Sequence, residues 1–564
     1  MNKSKPVKPK KDSHKSSVPN QSKLNISENL ILNNSLFHNY PNFCPISSLA
    51  DIKDKKVLVM GLGLHGGGEA SVRFFLKHGA FVTITDLKTE AELEPTIKSL
   101  KNDSSLNLDK ADFVLGRHDI RDFEEADLVI KNPAVKYEGN IYLKKAKHIE
   151  SDISLFLRFT KSPIIAITGS KGKSSTASAI HFGLQQAGFH SFLGGNITIS
   201  PLHFLEKTNE NTPVVLELSS WQLSDLRGRG ILKPKIAIIT KIVPDHLNWY
   251  GTMENYIEDK KLINKNQDSS DFTICSADSW GDIFASGTEA QVIRYSSKPF
   301  QGHTAKGAWL DIHGKGYVTR SAALSIQMGT EDLKINKKIS SNSKISLQTK
   351  TATPILDNLL VPGIHMKENM LIASLALVLM GVSPLKTAKI MAKFPGVPHR
   401  LEYFHKKTLQ NLPTGGTEDL KITKESFKTS FLFYNDSAAT VPDATIAALS
   451  SFTDPIHLIS GGTDKNLDFT ELAKHLPKAK SLYLLAGSGT ELLIKELDKS
   501  SVPYFGPFPS LDALLARLKE QITGEMTFGA QEIILFSPGT ASFGMFKNEF
   551  DRGNTFKKLI LELF

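Results

Sequence analysis

Short apolar runs alternate along this chain with stretches of helical periodicity. Runs at 57–60, 81–85, 113–115, 128–130, 164–167, 214–216, 236–239, 430–434, 456–460, 481–486 and 532–536 are bounded by glycines or small polar residues. Continuous rather than alternating apolarity predicts strands buried on both faces. Between the runs, apolar residues recur at helical spacing over 70–78, 176–187, 253–263 and 370–380, with Gly79, Gly188 and Gly381 as stops to three of these helices. A helix from about 443 and an amphipathic helix after Arg552-Gly553 complete the alternation. With no repeats and no heptads, the pattern predicts an α/β chain built on parallel sheets. Two stretches depart from it: 285–355 reads as a β-rich excursion or a long insertion, and 405–430 as a polar loop.

Candidate chemistry gathers where the runs end. After 164–167 come Thr168-Gly169-Ser170-Lys171-Gly172-Lys173-Ser174-Ser175 and then a helix. A glycine loop leading into a helix N-terminus turns N–H groups toward an anion. Lys173 adds a point charge for terminal phosphates, and the Ser174 hydroxyl can hold Mg²⁺. Ile167 stands where the longer phosphate-loop pattern has its first glycine. Gly61-Leu62-Gly63-Leu64-His65-Gly66 follows the first run and Asp86 closes the second, which is the dinucleotide fingerprint and also suits another phosphate-bearing ligand. Asn132-Pro133-Ala134 and Gly194-Gly195-Asn196-Ile197 are further turns at run ends. Glu217 places a carboxylate at the end of an apolar strand, where it needs a cation or hydrogen-bond donors. Asp245-His246 follows the run at 236–239, at the edge where parallel sheets collect ligands. Lys260, on a helical stretch, reads by itself as a solvated lysine. In the last third, runs end in Asn435-Asp436-Ser437-Ala438-Ala439-Thr440, Gly461-Gly462-Thr463-Asp464-Lys465 and Ser537-Pro538-Gly539-Thr540-Ala541-Ser542.

Composition changes the picture little. The chain has 564 residues, 40% of them hydrophobic, enough for several ordinary cores. Its net charge of +10 is partly local: residues 1–23 hold seven lysines against one aspartate, a solvated tail rather than a nucleic-acid site. No apolar run approaches the ~20 residues that span a bilayer, and the tail lacks a signal-peptide core, so no membrane insertion is expected. Cys44 and Cys275 lack metal-type spacing and fit a reducing cytoplasm.

The ordered series TGSKGKSS, GGNI, LELSSWQL, DH…YIEDK, PGIH…N, PHRLE, YNDSAAT, GGTDKN and SPGTAS…FKNEFDRG resembles the Mur ligases, most closely their D-glutamate-adding branch. The likeness runs from about residue 55 to residue 564. It implies three α/β domains after a basic tail (1–50): a Rossmann-like N-terminal domain (51–155), a central P-loop ATPase-type parallel sheet (156–397) and a Rossmann-like C-terminal domain (398–564). It implies ATP-dependent joining of D-glutamate to UDP-N-acetylmuramoyl-L-alanine, for peptidoglycan, through an acyl phosphate, by a monomer. Gly61, Gly63, Leu64, His65, Gly66 and Asp86 would hold UDP, and Asn196 another part of that substrate. Gly169 to Ser175 would bind ATP phosphates. Asn369 would meet adenine, and Arg400 and Asp436 would contact ATP. Ser174, Glu217, His246 and Lys260 would serve two Mg²⁺ ions, Lys260 as a carbamate. Thr440, Lys465, Ser542 and Phe543 would take D-glutamate. Two positions depart from the family pattern: Ala438 replaces a lysine and Met366 an asparagine. A folylpolyglutamate-type ligase, a nicotinamide dehydrogenase using Gly61–Gly66, and a non-catalytic nucleotide binder are the competing readings.

Overall fold

The computed structural model describes residues 37–64, 66–197, 199–300, 306–319, 352–410, 428–524 and 530–564, and among them the strands form three sheets. The first joins β1 (Lys56–Met60), β2 (Phe81–Asp86), β3 (Ala111–Leu115), β4 (Leu128–Lys131) and β5 (Ile149–Glu150) in the order β3-β2-β1-β4-β5, all parallel. Its central strand is buried from Val57 to Met60, as continuous apolarity requires.

The second sheet contains β6 (Ile164–Thr168), β7 (Phe192–Gly195), β8 (Val214–Glu217), β9 (Ile236–Ile239), β10 (Phe272–Ser276), β11 (Gln291–Ser296), β12 (Gly307–Leu310), β13 (Gly316–Thr319) and β14 (Ala352–Leu356). Their order is β14-β13-β12-β11-β10-β9-β6-β8-β7, with only β12–β13 and β13–β14 antiparallel. Every residue of β6 is buried. The helix Lys173–Ala187 leaves β6 and packs on the helix Ile364–Leu379, buried without a break from Met370 to Val378. Gly183 permits that approach: a Cβ there would lie 2.3 Å from Leu377 Cδ1.

The third sheet orders β15 (Glu402–Gln410), β16 (Lys428–Asn435), β17 (Ile456–Ser460), β18 (Ser481–Leu485), β19 (Phe505–Phe508) and β20 (Gln531–Phe536) as β15-β16-β20-β17-β18-β19, with β15 antiparallel to β16.

Three expectations change. The excursion at 285–355 is an extension of the central sheet through β11 to β14; 320–351 lie outside the described residues. The polar loop at 405–430 contains most of β15 and the start of β16, while 411–427 lie outside the described residues. Its charged residues mark an edge strand, where lysines are favoured because one side is unpaired. The tail was expected to reach residue 50. Residues 1–36 lie outside the described residues, but 37–50 are packed, with Tyr40 and Ile46 buried and a 3₁₀ turn at Leu49–Ile52. Buried Tyr40 and half-buried Phe37 supply aromatic anchors that the lysine-rich stretch lacks.

Arg229 ties the first two units together. Its guanidinium, 1% exposed, donates to Glu150 Oε1 at 2.9 Å and to Ile149 O at 2.6 Å. Arg158 donates to the same Glu150 oxygen. Breaking one side of a buried pair costs far more than the pair contributes net. Glu150→Ala is therefore expected to lose about 3–5 kcal/mol in urea denaturation; a loss near that of a surface substitution would show the pair to be dispensable.

Candidate functional site

Gly169 begins the phosphate loop with φ +143°, and a Cβ there would sit 2.0 Å from Thr240 Oγ1, so only glycine fits. Lys173 and Lys260 both donate to the Gly169 carbonyl, at 3.0 and 2.9 Å. Lys260 also reaches Thr168 Oγ1 at 3.3 Å and lies 4.5 Å from the centre of the Tyr256 ring. It is buried, not solvated. Burial first, then the Lys173 charge, pulls its ammonium down to about 7. Burial also lowers Lys173, opposed by Glu217 and Asp245.

Glu217 ends β8, 1% exposed. Its Oε1 accepts from Asn196 Nδ2 at 2.8 Å, and its Oε2 is buried without a hydrogen-bond partner. A half-satisfied buried carboxylate beside two ammonium groups suits a cation at its open oxygen. Gly195 (φ +99°) lets the Asn196 turn close on Glu217, since a Cβ would lie 2.2 Å from the Glu217 carbonyl. His246 (φ +52°) starts the short helix Leu247–Tyr250, half-exposed, its ring tilted against Trp221 at 5.1 Å.

The loop is used differently from the expectation in two places. The Ser170 and Lys171 N–H groups both donate to the Lys241 carbonyl, at 2.9 and 3.2 Å, and so do not face an anion. The Ser170 hydroxyl donates to Val243 O and accepts from Tyr256, which makes it a brace. The Lys171 side chain is exposed and paired with Asp245 at 3.4 Å. The amides left without an acceptor within the helix are those of its start, from Gly172 through Lys173, Ser174 and Ser175, the kind of group an anion can satisfy. Asn369 lies inside the helix Ile364–Leu379, and its Oδ1 stands 2.3 Å from where a Gly172 Cβ would be.

In the first unit, Gly63 N–H donates to Asp86 Oδ2 at 3.0 Å and Lys88 N–H to Asp86 Oδ1 at 2.9 Å. One Asp86 oxygen thus holds the glycine loop and the other the turn after β2. Gly66 (φ +84°) caps the helix Gly67–Lys77, Leu64 is exposed, and His65 lies outside the described residues. Between the first two units is a cavity of about 320 Å³ lined by Gly61, Gly68, Asn132, Asp152, Asn196 and Gln222. Asp152 is buried, with its carboxyl pushed up by desolvation. No motif pointed to it.

The third unit gathers its own set. Lys465 Nζ donates to Thr440 Oγ1 at 3.2 Å. Thr463 and Ala541 exchange backbone hydrogen bonds, which brings the Ser542 loop against the Lys465 loop. Arg552, 1% exposed, donates to the carbonyls of Ser437, Thr540 and Ala541 and so fastens the Thr440 loop to the Ser542 loop. The sequence offered Arg552 only as a residue before a helix. Ser542 is buried, Phe543 and Arg400 are exposed. Asp436 accepts from Leu401 N–H at 3.1 Å and from the Ser537 hydroxyl at 2.7 Å. Among the described residues no hydrogen bond or ion pair joins this set to the phosphate loop.

Residues 167–377 match the Mur ligase middle domain. The chain is 39% identical to UDP-N-acetylmuramoylalanine–D-glutamate ligase of Treponema pallidum, over 91% of this chain and 98% of that one. It belongs to this ligase family. The namesake enzyme of Borreliella afzelii is 36% identical over 91% of this chain and 99% of its own. Among solved structures, the UDP-N-acetylmuramate–alanine ligase of Thermotoga maritima is similar, at 17% identity and TM-score 0.47, over 90% of this chain and 99% of that one.

Burial raises the Asp436 carboxyl from its ordinary 3.8 to about 7 against the pull of Ser537, Leu401 and Arg400. An acid raised on folding binds its proton more tightly in the folded chain, so its contribution falls as pH climbs from 3.8 to about 7. Asp436→Asn is expected to remove that decline: its melting temperature should gain on the parent's across this window and stay level above it. Parallel curves would refute the raised value.

Proposed function

We propose that the Gly169–Glu217 centre carries out ATP-dependent ligation of D-glutamate to UDP-N-acetylmuramoyl-L-alanine, for peptidoglycan precursor synthesis. The observation that carries the reading is the convergence of Lys173 and Lys260 on Gly169 O, beside a buried Glu217 with one oxygen unpartnered. Such a centre is built for oxyanions and a cation together.

A carboxylate is a poor electrophile, and phosphorylation supplies a leaving group. In our reading the alanyl carboxylate attacks the ATP γ-phosphorus and ADP departs. The D-glutamate amine then attacks the acyl carbon, phosphate leaves, and the amine loses its proton. The helix-start amides from Gly172 to Ser175 and the Lys173 ammonium hold the phosphate oxygens. Asn369, Arg400 and Asp436 position the nucleotide, the last through Leu401 and Ser537. Glu217, His246, Ser174 and a carbamylated Lys260 are the residues that would hold Mg²⁺. Bound there, the ions supply positive charge to the phosphate oxygens. The carbamate forms when the Lys260 amine adds to CO₂ and gives up a proton, and its burial favours that amine over the ammonium. The seam cavity takes the UDP-sugar acid, with the Gly61–Gly66 loop and Asp86 at its nucleotide end and Asn196 orienting Glu217. Thr440, Lys465, Ser542 and Phe543 take D-glutamate, Lys465 through a carboxylate. Each set comes from one chain, so a monomer suffices. We assign the reaction to the cytoplasm because it draws on ATP and a nucleotide sugar; no described helix is long and apolar enough to cross a membrane.

Purified protein with ATP, Mg²⁺ and UDP-N-acetylmuramoyl-L-alanine is expected to release phosphate in step with amide formation when D-glutamate, not L-glutamate, is added. Equal turnover of the two isomers would overturn the amino-acid assignment. Lys173→Ala should cost at least about 10²-fold in kcat, the size of losing one donor to a developing charge. Lys260→Ala should lose comparable activity and regain part of it with added formate or acetate; full activity without them would remove the carbamate.

A further inference from the structure

Residues 37–46 cross the seam between the first two units. Phe37 lies beneath the Arg227 guanidinium at 4.5 Å, and His38 stacks on Tyr137 with ring centres 3.5 Å apart. Tyr40 is 4% exposed. Its N–H donates to Arg227 O at 2.9 Å, its hydroxyl to Asp225 Oδ1 at 3.4 Å, and the Arg229 guanidinium covers its ring at 4.4 Å. Phe43 packs on His148 at 5.1 Å. Tyr137 and His148 belong to loops of the first unit; Asp225, Arg227 and Arg229 follow a helix of the central one. The central turn is shaped for this strap: Gly228 has φ +81°, and a Cβ there would lie 2.6 Å from Tyr40 O.

Beneath the strap is a buried ion pair across the seam. Lys131 Nζ meets Asp225 Oδ1 at 2.9 Å, the oxygen that Tyr40 also reaches, with side chains 3% and 4% exposed. The same ammonium donates to Asn132 O at 3.2 Å and Val135 O at 2.8 Å, which fixes the turn after β4. Asn132 lines the seam cavity, and its Cβ is 3.0 Å from where a Gly61 Cβ would stand. Contacts therefore run without a gap from Tyr40 through Asp225 and Lys131 to the cavity wall.

We propose that residues 37–46 are a clasp that sets the shape of the seam cavity, with Tyr40 as a positioning residue for the UDP-sugar acid it never touches. The proposal rests on the reading that this cavity takes that substrate. Removing the hydroxyl leaves Asp225 with fewer donors in a buried site, so the Lys131 pair and the Asn132 turn relax together. Among the described residues no hydrogen bond or ring contact joins the strap to the phosphate loop or to the Lys465 set, so affinities for ATP and D-glutamate are expected to stay as they are.

The test uses the full chain and measures a KM for each substrate, with calorimetric titration of UDP-N-acetylmuramoyl-L-alanine and a melting curve. Tyr40→Phe keeps the ring over Arg229 and removes only the hydroxyl. It is expected to raise the KM and Kd for the UDP-sugar acid about threefold to tenfold, the effect of one hydrogen bond, with the other two KM values unchanged and a single melting transition slightly below the parent's. Tyr40→Ala should raise them further. An unchanged KM for the acid in both variants, or all three KM values rising together, overturns the clasp. Asn132→Ala separates the two claims. If it raises the KM for the acid while the Tyr40 variants do not, the clasp alone fails; if it too leaves that KM unchanged, the reading of the cavity fails.

Discussion

Two ammonium groups, one buried and one half-buried, share one carbonyl oxygen, and the centre of this molecule is arranged around the consequences. Lys173 and Lys260 come from a helix start and a helix end far apart in sequence, and both end on Gly169 O. Like charges this close in a desolvated site repel, and each group's proton is held less tightly than in water. Glu217, an almost wholly buried carboxylate beside them, has one oxygen tied to Asn196 and the other without a partner. The site is electrostatically incomplete as folded. Anionic oxygens and a cation are what would complete it, and that is the ligand set of phosphoryl transfer.

The parallel sheets explain why that incompleteness sits where it does. β6, β8 and β9 end together, so Gly169, Glu217 and the 240–246 loop leave one edge as neighbours. The first sheet ends in the same manner at Gly61, Asp86 and Lys131, and its edge meets the second across the seam cavity. The third sheet repeats the device at Asp436, Ser460 and Phe536. One topological habit thus supplies three loop clusters with three different chemistries: backbone amides and glycines, lysines with a carboxylate, and hydroxyls with a lysine.

Where the sequence spoke, it spoke through burial that periodicity can reveal. A lone carboxylate closing the apolar run at 214–216 had to be exceptional, and Glu217 is. The glycines at 61, 169 and 172 announced turns because no other residue adopts their φ without strain. Lys260 was illegible from its own window: Glu258, Asp259 and Lys261 make it look solvated, and its burial comes from contacts with Thr168 and Gly169. Only the motif resemblance singled it out. The roles of Ser170 and Lys171 were hidden for a related reason, since the carbonyl that takes their N–H groups belongs to Lys241, on another strand's loop. Strand β15 was missed because an edge strand carries charge, while the apolar run of its partner β16 was read. Residues 37–46 were absorbed into a basic tail because a charge average conceals the aromatic anchors Phe37 and Tyr40.

Ala438 bears on how the third unit works. Where the family pattern has a lysine, this chain has a methyl group whose residue's N–H donates to His399 O at 3.0 Å. The loop still carries Thr440 against Lys465, so a cation stands beside it without residue 438 supplying one. What the loop requires is fixed geometry, and Arg552 provides that by bonding to both walls from a fully buried position. A buried guanidinium with carbonyl partners holds loops rigidly but cannot itself reach a substrate. Rigidity and charge are therefore divided between Arg552 and Lys465.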